Sequence, residues 1–81
     1  MDTLSRDALL EHVRSQRRLP LPSHRRRIRE EAGVSLRAVA AVLGVTHTAV
    51  AAWERGATPR EHSGEYADLL DELRRASGET A

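Results

Sequence analysis

Apolar residues recur at two helical spacings in the middle of the chain, and polar residues mark where each helix begins and ends. Leu36, Val39, Ala40 and Leu43 follow the i, i+3, i+4, i+7 pattern of one buried helix face, and Val50 and Trp53 repeat it after a gap. Ser35 stands at the N-cap position of the first helix, with Val34 and Val39 spaced to staple its start. Thr46 is the cap of the second, with Val45 and Val50 as its stapling pair. Gly44 ends the first helix where a left-handed residue is required, and Gly56 closes the second after Arg55. The stretch 35–56 therefore predicts two short helices joined by a tight turn. Three positions set its geometry: Ala40 is small where the helices cross, Gly44 turns the chain, and Val50 drops back into the corner.

The flanking segments are also helical. From Thr3 to Gln16, Leu9, Leu10 and Val13 share a side that Leu4 and Ala8 extend, and Asp2, Thr3 or Ser5 can cap the helix. This helix either packs on the core or meets a second copy of the chain. Arg17 to Pro22 reads as an extended connector, because Pro20 and Pro22 disfavour helix in the residue before each. Ser23 is then expected to cap a helix running to Ala32 and ended by Gly33, with Ile28 and Ala32 inward and Arg25, Arg26 and Arg27 fanning outward. After Gly56, Thr58-Pro59-Arg60-Glu61 has the form of a capping box. A helix starts there, or nearer Ser63 with the earlier residues forming one isolated turn. Tyr66, Leu69, Leu70 and Leu73 give that helix an apolar face, which closes the bundle or faces a partner. The expected organisation is all-α, a compact bundle of about five helices. Residues 1–22 form an N-terminal helix and proline-containing connector, 23–76 the domain built on the 35–56 motif, and 77–81 a flexible tail.

The run AGVSLRAVAAVLGVTHTAVAAWERG resembles the Cro and phage-repressor type of helix-turn-helix, also called xenobiotic-response-element-like, through its Ala-x3-Gly-x5-Val spacing, paired caps and staples, and Trp-Glu-Arg-Gly ending. A plain alanine-rich hairpin has no need of glycine, cap and staple in that order. The likeness extends from about Arg25 to Leu73 and implies a lambda-repressor-like bundle whose second motif helix, 46–55, lies in the DNA major groove. It implies base contacts from His47, Thr48, Ala51 and Ala52, since His can meet a purine acceptor, Thr any base edge, and Ala only a thymine methyl. Phosphate contacts are expected from Arg37, Thr46, Arg25, Arg26, Arg55 and Arg60, and from the helix start at Ser35. Arg29 and Glu54 match a family ion pair tying the first helix of the domain to the reading helix. Ala40, Gly44, Val50 and Trp53 match its structural positions. The chain departs from the family where Leu36 replaces a frequent Gln and where Ala51 and Ala52 replace long polar side chains. Direct readout is accordingly expected to be thin, with DNA shape or paired half-sites supplying the remainder.

Net charge is only +1 over 81 residues, so its placement matters more than its sum. All thirteen basic residues are Arg, and seven of them fall between His12 and Arg29 without one acid. From Ala38 onward seven acids face four arginines. Such polarity suits a chain laying one side on phosphates, which the planar guanidinium grips with two bonds. Without cysteine there are no disulfides and no thiolate metal sites. His12, His24, His47 and His62 show no ligand spacing, and no nucleophile or phosphate-cradling motif occurs, so no metal, cofactor, small-molecule substrate or enzymatic activity is expected. No apolar run approaches the ~18 residues of a membrane span and no signal pattern opens the chain, which leads to the expectation of a cytoplasmic, nucleoid-associated protein. The function expected is a sequence-specific DNA-binding transcriptional regulator, a repressor occupying its operator. It would bind double-stranded DNA as a homodimer through either the Leu9/Leu10/Val13 or the Tyr66/Leu69/Leu73 face. The alternative is a protein-interaction module, antitoxin-like or adaptor, on the same fold.

Overall fold

In the computed structural model, which describes residues 5–78, five helices and one short 3-10 turn surround a single core, and no strand occurs among the described residues. Helix α1 spans Arg6–Arg18, α2 Pro22–Glu31, α3 Leu36–Leu43, α4 His47–Glu54 and α5 Ser63–Ala76, with the 3-10 turn at Arg60–His62. The core draws on four of the helices: Ile28 from α2, Val39 and Ala40 from α3, Val50 and Trp53 from α4, and Tyr66 and Leu70 from α5. With no Phe in the chain, the two aromatic residues carry much of the packing, and the Trp53 and Tyr66 rings meet tilted at 4.9 Å between centroids. Leu69 and Leu73 pack against the same core. The α5 face therefore closes the bundle, with Tyr66 only 1% exposed.

The motif helices end as their sequences dictate. The Ser35 Oγ accepts the Ala38 amide at 3.0 Å and the Thr46 Oγ1 accepts the Ala49 amide at 3.1 Å, each supplying an acceptor to a first-turn N–H that the helix cannot satisfy. At the end of α3, Gly44 adopts φ 70°, and the chain folds back so that the Val45 amide donates to the Ala40 carbonyl at 3.0 Å and the Gly44 amide to Ala41 at 3.4 Å. That paired arrangement is a Schellman closure. Gly56, at φ 115°, closes α4 in the same way, with the Ala57 amide on the Ala52 carbonyl at 3.0 Å.

Elsewhere the boundaries differ from those expected. Helix α1 runs through Arg17 and Arg18 to within three residues of α2, so the connector shrinks to Leu19–Leu21. Pro22 sits inside α2 because a proline ring is tolerated at the first helical position, where its missing N–H would have had no acceptor. Leu21 then occupies the N-cap without a side-chain bond, and Ser23 does not cap. Thr58 does not cap either. Arg60 takes a left-handed φ of 58°, which confines the capping-box residues to one turn, and Ser63, fully buried, donates its hydroxyl to the Arg60 carbonyl at 2.7 Å to open α5. At the N-terminus Ser5 is the cap, its Oγ accepting the Ala8 amide at 3.1 Å. Leu4 and the alternative caps Asp2 and Thr3, like Glu79 to Ala81 of the expected tail, lie outside the described residues.

Candidate nucleic-acid interface

Helices α3 and α4 meet at 110°, within the range of a helix-turn-helix, and the tight turn between them leaves the first turn of α4 standing clear of the bundle. Thr46, His47 and Thr48 are exposed there, while Ala51 and Ala52, one turn further on, are half-buried. Across from them on α3 is exposed Arg37. Arg37, Ala41, Thr46, His47 and Thr48 share the lining of an open concavity of about 410 Å³ between the two helices. Its rim carries a fixed cation, an imidazole, two hydroxyls and the positive end of the α4 dipole, all suited to an anionic backbone beside a polar edge. At the other end of α4, Arg26, Ala51 and Arg55 flank a second hollow of about 220 Å³. Arg26 is exposed and pairs with Glu30 at 3.0 Å along its own helix. Arg60 is exposed in the 3-10 turn.

The C-terminal end of α4 is held by two arginines one turn apart on α2. Arg29 and Glu54 form a two-pronged pair, Nε to Oε2 at 2.6 Å and the second guanidinium nitrogen to Oε1 at 3.1 Å, with side chains only 13% and 7% exposed. A third Arg29 N–H donates to the Val34 carbonyl at 3.0 Å. The hydrogen bond to Glu54 is the main reason that the Arg29 pKa rises further above its ordinary value.

Arg25 overturns an expectation. It does not fan outward with Arg26 and Arg27: its Nε donates to the Pro20 carbonyl at 2.7 Å and its Nη1 to the Trp53 carbonyl at 2.9 Å. Burial lowers its pKa, as it does for any cation withdrawn from water. With those donors committed inside the protein, Arg25 joins the connector before α2 to the last turn of α4. One signal in the sequence pointed that way, since Arg25 lies four residues before Arg29 and therefore shares its side of α2. The buried Tyr66 hydroxyl, within the electrostatic reach of both arginines and Glu54, makes no hydrogen bond. Desolvation first, and the nearby Glu54 carboxylate second, push its pKa up to about 12.

The His62 ring lies 5.8 Å from that of Trp53, with Glu61 and Glu65 carboxylates at 3.9 and 3.8 Å. No cluster of three metal-ligating side chains occurs among the described residues, and no single helix among them is long and apolar enough to cross a membrane.

A helix-turn-helix family model matches residues 26–72, from the second residue of the arginine triplet to the penultimate turn of α5. No curated protein and no solved structure matches the chain. The match spans more than half of the sequence and all of the α3–α4 geometry described above, and the chain belongs to the Cro-type, xenobiotic-response-element-like family of DNA-binding helix-turn-helix proteins.

Proposed function

We propose that the protein is a sequence-specific transcriptional regulator, a repressor that occupies its operator with α4 in the major groove. The observation that carries this reading is the exposed first turn of α4 facing Arg37 across an open concavity. In this arrangement His47 and Thr48 read base edges, and Ala51 and Ala52 offer only methyl groups to thymine. Arg37, Thr46 and the start of α3 at Ser35 hold the phosphates on one side, and Arg26, Arg55 and Arg60 those further along. Arg25 is left out of this set, because its guanidinium is engaged by two carbonyls. With so few polar readers, discrimination comes from DNA shape and from two copies on paired half-sites about 34 Å apart. Repression follows from occupancy: a body of 42 × 28 × 20 Å seated on one groove obstructs promoter access.

Selection of bound fragments from random duplex DNA, followed by affinity measurements over a salt series, tests the proposal. Log K should fall linearly with log salt by about 0.9 per phosphate contacted. His47→Ala and Thr48→Ala should flatten preference among the selected sequences, whereas Arg37→Ala should weaken all of them alike. Failure to retain any duplex at low ionic strength would overturn it.

A further inference from the structure

Five large apolar side chains are exposed among the described residues, and three of them, Leu9 (51%), Leu10 (43%) and Val13 (37%), lie on α1. Leu21 and Val42 stand singly, which is ordinary for a soluble surface. The α1 group is different. Leu9 and Leu10 are four and three residues before Val13, so the three form one stripe. Every α1 side chain that the structure describes is exposed. The helix is fastened to α5 from another side, where Arg18 donates to the Asp68 carboxylate at 3.0 Å and to the Gly64 carbonyl at 3.4 Å. An amphipathic helix normally turns its apolar stripe to the core, and one of 13 residues is marginal without packing. Here the stripe points to solvent.

We infer that this stripe is the contact between two copies of the chain, packed antiparallel about a two-fold axis near Leu10. The charges beside the stripe select that occupant and that direction. Asp7 and Arg14 are both exposed and seven residues apart, hence on the same flank of α1 beside Leu10, where Arg14 also lies 3.5 Å from the Glu11 carboxylate in a solvent-exposed pair that leaves its other donors free. In an antiparallel pair, Asp7 comes level with the partner subunit's Arg14, and the symmetry repeats the attraction. A parallel pair would turn this flank toward the partner's opposite flank and form neither attraction. To within one residue, the same register sets Leu9 against the partner subunit's Val13 and the two Leu10 side chains against each other. Anionic lipid suits the face poorly because Asp7 and Glu11 offset Arg6 and Arg14 around it and leave no net positive charge, and phosphates gain nothing from an apolar stripe. Three apolar side chains per copy make a small interface, so the dimer is reversible and strengthened by simultaneous binding to two half-sites. The inference names the contact behind the dimer proposed above, but its test needs no DNA.

Sedimentation of the full chain, without DNA, over roughly 5 to 500 µM should show the mass moving from monomer toward dimer. Leu10→Glu, at an exposed position, should keep the helical circular-dichroism spectrum and remain monomeric throughout. The decisive arm uses Asp7→Arg and Arg14→Asp. Each variant alone should self-associate about tenfold more weakly, while their equimolar mixture should recover dimer, because the mixed pair restores both attractions. A wild-type chain that stays monomeric, a Leu10→Glu chain that dimerises normally, or a mixture no better than its components would overturn the inference. A dimer that retains no DNA would instead overturn the proposed function and leave this contact standing.

Discussion

Replacing Arg25 by Met tests whether this residue positions α4 or contacts DNA in the proposed binding mode. The substitution keeps much of the aliphatic stem but removes two charge-assisted bonds, to the Pro20 and Trp53 carbonyls at 2.7 and 2.9 Å. Each such bond contributes about 1.5–3 kcal/mol when intact. The site is only half-buried, so water reaches the freed carbonyls and the net loss should be nearer ~2 kcal/mol in total. For a domain of this size that lowers the melting temperature by about 10 °C. DNA affinity should fall because the end of α4 is less firmly held, yet the slope of log K against log salt should match that of the unaltered protein. Arg37→Met should do the reverse: little change in melting and a slope smaller by about 0.9 per copy bound. Calorimetric melting and filter binding at several salt concentrations measure both quantities on the same preparations. A flattened slope for Arg25→Met with no loss of thermal stability would show that Arg25 touches phosphate and would refute the internal role.

The other predictions address the same end of the bundle and its turn. Glu54→Gln leaves Arg29 nearly buried without a counter-charge and should cost about 3 kcal/mol, seen as a lower urea midpoint at constant slope. Tyr66→Phe removes a buried hydroxyl that has no hydrogen bond, so stability at neutral pH should hold or rise slightly. The folded-state pKa of Tyr66 lies above its unfolded value, so the folded chain holds that proton more tightly. Stability is therefore full below pH 10 and declines as pH rises toward about 12, by on the order of 2 kcal/mol, a decline that Tyr66→Phe should abolish in alkaline melts. Gly44→Ala should cost about 1 kcal/mol by denaturant titration, and the cost is conformational, since φ is 70° and nothing lies within 4 Å of the added methyl.

What the sequence made legible is what depends on neighbours a few residues away. Ser35, Gly44, Thr46 and Gly56 act on backbone groups within five positions of themselves, so their spacing alone announced two helices and a turn. The periodic core positions Val39, Ala40, Val50 and Trp53 were equally plain. Arg25 was not, because three consecutive arginines look alike until a distant carbonyl selects one of them, and Trp53 is 28 residues away. Pro22 misled for a subtler reason: proline breaks a helix everywhere except at its beginning, and the pattern could not say on which side of it α2 started. The α1 stripe remained open because periodicity reveals that a face is apolar and says nothing of what it meets.

These particulars bear on how so short a helix could present a defined face to DNA in the proposed binding mode. Helix α4 has eight residues, barely two turns, and its own hydrogen bonds cannot fix its direction in the bundle. Its first turn is set by Thr46 and the Gly44 turn, and its last by Arg25 on the Trp53 carbonyl and Arg29 on the Glu54 carboxylate. Helix α2 thus grips one end of α4 through two guanidinium groups, leaving the other end free of side-chain cover. The consequence runs against reading arginine richness as DNA affinity. Two members of the basic run are consumed in aiming the helix, and the cations left to meet phosphate are fewer than the composition suggests. A protein built this way gains precision of placement at the expense of electrostatic reach, which suits the proposed role of a regulator that leaves most of the genome unoccupied.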